Sequence, residues 1–166
     1  MKRKINLILL FLAIIVTENL FAQNGYKSFA ATVGASTANS KYISVSFETS
    51  LDGYHIFGLS LDGIGYSRNL KKQLDYTDDN HILALGLYYK NKISSTRNFN
   101  TDFFIGVAGG SDNTSFVYYP FVGFEENFFL SKRLQLTINQ KVIYLLGIKH
   151  LNNWQPCLNI GFQFSL

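Results

Sequence analysis

Apolar residues alternate with small or polar residues along almost the whole chain after residue 26. In the range 83–89, for example, Leu, Leu, Leu and Tyr occupy the odd positions, whereas Ala, Gly and Tyr occupy the even ones. A period of two is the spacing of side chains on one face of a β-strand. The 15 Phe, 10 Tyr and 13 Gly residues are also typical of an aromatic-rich sheet. The chain is therefore predicted to be all-β.

The alternation divides into eight segments of about ten residues, which is the length that a tilted strand needs to cross a bilayer. Short turns are predicted at 52–53, 91–98 and 130–133, and loops at 38–40, 68–80, 109–115 and 147–153. Turns on one rim and mostly longer loops on the other favour an eight-stranded antiparallel up-and-down transmembrane β-barrel with both termini on the periplasmic side. The loop at 38–40 is the short exception.

Alternation alone does not separate a soluble barrel from a membrane barrel, because each has one apolar and one polar face. The polar face of this chain is dominated by Gly, Ser, Ala, Thr, Asn and Gln, which suits the crowded interior of a narrow barrel better than a surface in water. We expect its few charges to form an interior network in which opposite signs neutralise one another, with Glu125 and Lys141 as one pair. The predicted network consists of Glu48, Asp62, Lys90, Asp102, Glu125 and Lys141.

Aromatic residues near the predicted strand ends fit the interfacial girdles of a membrane barrel. These residues are Tyr42, Tyr54, Tyr66, Tyr89, Tyr118, Tyr119, Phe128, Phe129 and Trp154.

The last residues of the chain resemble the C-terminal signal of bacterial outer-membrane proteins. Asn159 is followed by Gly161, and hydrophobic residues occupy the third-last and last positions as Phe164 and Leu166. Leu166 stands where those proteins most often have Phe. The resemblance implies recognition by the outer-membrane assembly machinery; the alternative is an ordinary strand that happens to end the chain.

The N-terminus has the pattern of a secretory signal peptide. The cationic stretch 2–4 precedes the apolar run Ile5–Val16, and the tripeptide Leu20-Phe21-Ala22 follows. An apolar run of about twelve residues is too short to span a membrane as a helix. We therefore predict cleavage after Ala22, with residues 1–22 as the leader and 23–166 as an exported outer-membrane barrel.

The chain has a weak basic balance and one cysteine. Fifteen Lys and Arg residues stand against 11 Asp and Glu residues, and part of this excess lies in the predicted leader. This balance gives no indication of direct nucleic-acid binding. Cys157 alone excludes an intramolecular disulfide framework and a CxxC site.

Catalytic, cofactor and metal sites receive little support from the sequence. His55 follows a turn on one predicted rim and His81 follows a loop on the other, so they are held apart, and His150 lies in a loop. An enzyme would have to combine His81 with Ser60 or a loop aspartate. The loop carboxylates at 75, 78 and 79 lack the glycine and the terminal glutamate of a calcium loop, which favours a solvated acidic loop.

The second half of the chain carries a set of short motifs. They are Gly86–Lys90, Phe103–Gly106, Phe124-Glu125, Leu130–Arg133, Leu136, Asn139, Lys141, Leu146-Gly147, Gly161-Phe162 and Phe164. In these motifs the chain resembles the TraO family, conjugative-transposon transfer proteins of Bacteroidetes. None of the motifs is catalytic. The resemblance implies a non-enzymatic outer-membrane component of a conjugative DNA-transfer apparatus, acting through contacts with other conjugation proteins.

Two other functions remain open at this point. The chain is compatible with a general small outer-membrane barrel that has a structural or adhesive role through its outer loops. A lipid-modifying enzyme of the outer membrane is the third alternative. In each case outer-membrane lipid is an expected partner, and no cofactor is expected.

Overall fold

The computed structural model describes residues 26–36, 40–50, 52–67, 79–112, 115–147 and 153–166. The predicted leader 1–22 lies outside this part of the chain and stays a prediction. Among the described residues, no helix is long and apolar enough to cross a membrane. The eight strands are β1 (Lys27–Ser36), β2 (Ser40–Ser50), β3 (His55–Ser67), β4 (Asp79–Ser95), β5 (Phe99–Ser111), β6 (Phe116–Phe129), β7 (Leu134–Tyr144) and β8 (Trp154–Ser165).

Each strand pairs with its sequence neighbours, and β1 pairs with β8, so the sheet closes into a barrel. All eight pairings are antiparallel. The prediction of an all-β, eight-stranded, antiparallel up-and-down barrel is confirmed. Closure leaves no unpaired sheet edge.

The strand connections define two rims. The terminal rim carries Tyr26, Leu166 and the connections 51–54, 96–98 and 130–133, whereas the loop rim carries 37–39, 68–78, 112–115 and 145–153. Most of the loop rim lies outside the described residues. The predicted turn at 91–98 is wrong in extent, because β4 continues to Ser95 through a register shift between Lys92 and Ser94. Likewise, β5 continues to Ser111 into the predicted loop at 109–115.

Even and odd positions of each strand face opposite sides of the barrel wall, as strand geometry requires. The outward side is a belt of exposed apolar side chains, which we call the apolar belt. Its members include Val33, Ile43, Val45, Phe57, Leu61, Leu83, Leu85, Leu87, Ile105, Val107, Val122, Phe124, Leu158, Ile160 and Phe162.

The barrel interior has two layers of different chemistry. The layer towards the loop rim contains an apolar cluster that includes Ile64, Ile82, Phe104, Phe121 and Leu145, with the buried polar residues Ser40, Asp112 and Gln155 at its outer edge. The layer towards the terminal rim is polar and contains most of the buried charged groups. The expectation of an interior made mainly of small residues therefore holds for only part of its length, since large apolar side chains fill the loop-rim layer.

Three tyrosines assigned to the interfacial girdles lie inside the barrel instead. Tyr42, Tyr66 and Tyr119 are buried, whereas Tyr54, Tyr118 and Trp154 are exposed on the outer side. The reason is the parity of the strand position: the neighbours of Tyr42 and Tyr119 in the chain, Ile43 and Tyr118, occupy the outward positions.

Candidate functional site

A buried ammonium lies between two carboxylates in the polar layer. Lys90 Nζ is 2.5 Å from Glu48 Oε1 and forms a second ion pair with Glu125 Oε1. Tyr88 Oη donates a hydrogen bond of 2.7 Å to the same Glu48 oxygen. These groups come from β2, β4 and β6, so the ion pairs cross the lumen and connect strands that are not neighbours in the sheet.

Lys90, Glu48 and Glu125 form a triad of buried charges. The carboxylate oxygens of this triad also accept hydrogen bonds from neutral side chains. Gln163 Nε2 donates to Glu48 Oε2 at 2.8 Å, and Asn139 Nδ2 donates to Glu125 Oε2 at 3.1 Å. Asn127 Nδ2 lies 3.2 Å from Glu125 Oε1. Two carboxylates and one ammonium can be buried together when hydrogen bonds satisfy the carboxylate oxygens that do not take part in the ion pairs.

A second polar cluster lies further along the lumen. Asp62 accepts hydrogen bonds from Ser44 Oγ at 2.6 Å and Tyr119 Oη at 2.8 Å. Lys141 Nζ donates to Tyr42 Oη at 2.5 Å and lies 3.8 Å from the centroid of the Tyr42 ring. Hydroxyl groups and an aromatic face therefore surround the buried charges of this cluster.

Glu125 and Lys141, expected as a pair, line the same interior cavity but form no direct ion pair in the described part of the chain. Glu125 lies opposite Asn139 across the β6–β7 ladder, and Lys141 lies opposite Gly123, two residues nearer the loop rim. Lys90 instead reaches Glu125 from β4, across the lumen. Glu125 and Lys141 therefore lie at different heights along the barrel axis although their strands are neighbours, whereas Glu125 and Lys90 meet although their strands are not.

Asp102, the sixth predicted network residue, lies at the edge of the polar layer. Its Oδ2 accepts hydrogen bonds from Asn127 Nδ2 at 3.2 Å and Asn100 Nδ2 at 3.4 Å. Its Oδ1 is buried and has no hydrogen-bond partner among the described residues. Asn127, which donates to both Asp102 and Glu125, links Asp102 to the triad by hydrogen bonds.

A small cavity of about 40 Å³ separates the two polar clusters. Lys90 and Glu125 line one part of its wall, Lys141 and Ser44 another, and the buried Ser60 Oγ lacks a hydrogen-bond partner in the described structure. A polar cavity of this size has room for at least one water molecule. The lumen is thus packed by side chains around a small polar space.

The residues considered for catalysis are not assembled. Ser60 is buried in the lumen, whereas His81 is exposed on the outward side of β4. His55 lies at the terminal rim beside Asp52, with 3.6 Å between His55 Nε2 and Asp52 Oδ2. His150 and the loop aspartates at 75 and 78 lie outside the described residues. Within the described ranges, no group of three or more His, Cys, Asp or Glu side chains is placed to hold a metal ion.

The four residues of the predicted C-terminal signal lie on β8 and at its end. Asn159 is buried in the lumen, while Phe164 and Leu166 are exposed on the outward side. Gly161 lies opposite Thr32 of β1, and a Cβ atom there would meet Ala31 O at 1.9 Å. The backbone N–H of Leu166 donates to Lys27 O at 2.9 Å. This segment therefore forms the seam at which the barrel closes.

The parity of the alternation also indicates inward polar residues that the charged residues alone do not reveal. Tyr42, Tyr88 and Tyr119 share the inward face with the charged residues and hydrogen-bond to them. Extending the predicted network to every large polar side chain of inward parity would have included these tyrosines.

Solved structures of small barrels share the fold. A de novo designed transmembrane β-barrel matches with a TM-score of 0.58 and 15% identity, over 86% of this chain and 96% of that one. The N-terminal β-barrel domain of Pseudomonas aeruginosa OprF gives 0.56 and 12%, over 87% and 98%. Ail, the attachment invasion locus protein of Yersinia pestis, solved with the heparin analogue sucrose octasulfate, gives 0.54 and 7%, over 85% and 99%.

No protein-family model matches the chain, and no curated protein matches it in sequence. The resemblance to the TraO family therefore has no support from these comparisons. At identities of 7–15%, the matched structures establish the architecture: this chain has the fold of the small eight-stranded barrels.

Proposed function

We propose that this protein is a non-enzymatic β-barrel of the bacterial outer membrane that acts through the segments of its loop rim. The observation that carries the proposal is the apolar belt around a closed barrel whose interior contains buried charged residues. A barrel in water would expose its polar face and bury its apolar one, whereas lipid requires the reverse arrangement and a closed hydrogen-bond ladder.

The structural comparisons support the location. OprF is a Pseudomonas barrel, and other matched structures include a major outer membrane protein from Thermus thermophilus and the Neisserial surface protein A. Ail is described as an attachment invasion locus protein, which favours an adhesive role for the loop rim here. Loops on a rigid scaffold can carry binding residues without disturbing the ladder.

A matched pair of arginine substitutions tests whether the apolar belt contacts lipid. Ile105 and Leu130 are similarly exposed, at 53% and 57%, but Ile105 lies in the belt and Leu130 in the connection 130–133 at the terminal rim. In vesicles, we expect Ile105→Arg to lower the free energy of unfolding by about 2–4 kcal/mol and Leu130→Arg by about 0–1 kcal/mol. Equal small effects would contradict the membrane location.

Conjugal transfer is the narrower function that the TraO resemblance implies, with other conjugation proteins as partners. We propose it as a second candidate, carried by the motifs on β4–β8. A strain without the protein is expected to show a reduced mating frequency, restored by the complete chain. Deletion within 68–78 should preserve the protein in outer-membrane fractions and still lower mating. Normal mating without the protein would remove this candidate and leave the general barrel function standing.

A further inference from the structure

An open groove crosses the apolar belt. It runs over β4, β5 and β6 in the half of the barrel near the loop rim and has a volume of about 570 Å³. Leu85 and Leu87 line one side and Tyr118 and Leu146 the other. Among the described residues, no charged side chain lines it, and the hydroxyl of the exposed Tyr118 is the main polar group nearby.

The groove follows from the cross-strand register. Leu85 lies opposite Gly109, and Gly109 lies opposite Tyr118, so a residue without a side chain forms the floor between two large ones. In the next row, Val107 lies between Leu87 and Pro120. The missing side chain at Gly109 leaves a depression there, and the tip of the Phe116 ring borders it on the side of the loop rim, 3.2 Å from where a Cβ on Gly109 would lie.

Pro120 marks a local weakness beside this floor. The β6–β7 ladder ends at Phe121 opposite Ile143 and is followed by an isolated bridge between Tyr118 and Leu146. Proline has no N–H to donate to a ladder, and within sheets it is found mainly at edges or irregularities. The groove therefore borders a stretch of wall that is held by fewer backbone hydrogen bonds.

The dimensions of the groove limit what it accepts. Neighbouring strands lie about 4.8 Å apart, so its walls on β4 and β6 stand on backbones about 10 Å apart, and the Leu and Tyr side chains occupy part of that width. A helix, about 10–12 Å wide with side chains, does not fit. The convex wall of a second barrel does not fill a narrow depression, and the closed ladder offers no edge for an added strand.

From this geometry we propose that the groove binds a single fatty-acyl chain of a surrounding membrane lipid. The proposal deepens the proposed function, since it rests on the apolar belt facing hydrocarbon. A flexible chain one methylene wide fits between Leu85 and Tyr118 over Gly109. The apolar side chains of the lining give it a surface to pack against, and the Tyr118 hydroxyl is the main polar group that it meets. The lipid headgroup then lies towards the loop rim.

Two glycine substitutions provide a matched test. A Cβ on Gly109 would meet a ring carbon of Phe116 at 3.2 Å, and one on Gly65, elsewhere on the outward surface, would meet His81 Nδ1 at 3.3 Å. In both cases the neighbouring atom is the end of a movable side chain. Gly109→Leu fills the groove floor, whereas Gly65→Leu adds the same group outside the groove.

The experiment uses purified protein refolded into vesicles of phosphatidylethanolamine and phosphatidylglycerol, then extracted into mild detergent for native mass spectrometry. Heat-dependent gel mobility first confirms that each variant has closed. We expect one retained phospholipid on the unmodified protein and on Gly65→Leu, and loss of that adduct in Gly109→Leu.

Three outcomes would overturn the proposal: no retained lipid on the unmodified protein, equal retention in all three proteins, or a dimer that Gly109→Leu alone abolishes. The last outcome would assign the groove to a second copy of the chain. Because the vesicles are made from purified components, the result does not depend on where the protein lies in the cell. Absence from outer-membrane fractions would instead contradict the proposed function.

Discussion

Lys90 is the residue on which the buried charges of the polar layer depend. It neutralises two carboxylates, Glu48 and Glu125, that lie on strands far apart in the sheet. Those carboxylates also accept hydrogen bonds from neutral donors, but such donors do not compensate a net buried charge. The ammonium is therefore the group whose removal leaves the largest uncompensated charge in the lumen.

We predict that Lys90→Met lowers the free energy of unfolding by about 3–5 kcal/mol, because breaking a buried pair leaves unpaired charges in a poorly hydrated interior. Lys132→Met is the matched control, since Lys132 is exposed in the connection 130–133 and the same charge is removed. The control should change stability by less than about 0.5 kcal/mol. Urea unfolding in vesicles measures the free energy of unfolding of both variants. If the two substitutions lower it equally, the buried triad does not contribute to stability.

Asp52 gives the terminal rim a pH-dependent turn. Its Oδ1 accepts hydrogen bonds from the backbone N–H groups of His55 at 2.8 Å and Tyr54 at 3.0 Å. These donors, chiefly that of His55, hold the pKa of the Asp52 carboxyl below its ordinary value. Because the folded-state pKa is lowered, the stabilisation is complete above the ordinary pKa of about 3.9 and is lost as the pH falls through the lowered value.

The prediction is that Asp52→Ala lowers the urea midpoint at neutral pH and that its difference from the unmodified protein narrows as the pH falls below about 4. Asp52→Asn keeps an oxygen acceptor for the two N–H groups but has no charge to titrate. At neutral pH, the urea midpoint of Asp52→Asn should therefore lie closer to that of the unmodified protein than the midpoint of Asp52→Ala does. If the difference in urea midpoint between Asp52→Ala and the unmodified protein stays constant down to acidic pH, the ionised carboxylate does not have this role.

At the scale of the element, β8 decides whether the barrel closes. It pairs with both β7 and β1, and its predicted assembly signal lies at the β1 seam. At Gly161 a side chain would meet backbone atoms of the neighbouring strand, Ala31 O at 1.9 Å and Thr32 Cα at 2.6 Å. Backbone atoms in a paired ladder cannot move aside without breaking hydrogen bonds.

Gly161→Val is therefore expected to prevent closure of β1 on β8 and to abolish the folded band in heat-dependent gel mobility. Gly65→Val should fold, since the nearest atom to its new Cβ belongs to the His81 side chain. An open edge does not persist in lipid, so truncation after Asn153 should likewise remove the protein from outer-membrane fractions. If Gly161→Val folds as well as Gly65→Val, the seam does not require glycine.

At the scale of the whole molecule, the two interior layers make the barrel a packed body. Phe104, Phe121 and Leu145 belong to the apolar layer near the loop rim, and the Lys90 triad occupies the polar layer below it. Eight strands enclose an interior that side chains can fill, in contrast to the 16–18 strands of porins.

We therefore predict that the protein in planar bilayers shows no steady single-channel conductance. A 16-stranded porin in the same bilayers serves as the positive control. The physical reason is that an ion would have to cross the apolar layer without its hydration shell, which is costly. Large, long-lived current steps that follow the amount of added protein would contradict this packing.

The alternation in the sequence was sufficient to determine the strands and their two faces, because side-chain direction in a strand depends only on position along it. The inward location of all six network residues follows from this parity, and each is buried. Strand ends were less accurate: the polar stretch 91–95 has the composition of a turn, yet pairing with β5 extends β4 through it. Local propensity does not include the hydrogen bonds that a neighbouring strand supplies.

The tertiary structure alone decided which charges meet. Partners in the lumen depend on register, strand tilt and depth, which are properties of the closed sheet, so Lys90 of β4 reaches Glu125 of β6 while Lys141 on the adjacent β7 pairs with Tyr42. The groove over Gly109 has the same origin, since it requires Leu85 and Tyr118 to lie in one row. A single strand has a period of two, but neighbours across a lumen exist only once the barrel is closed.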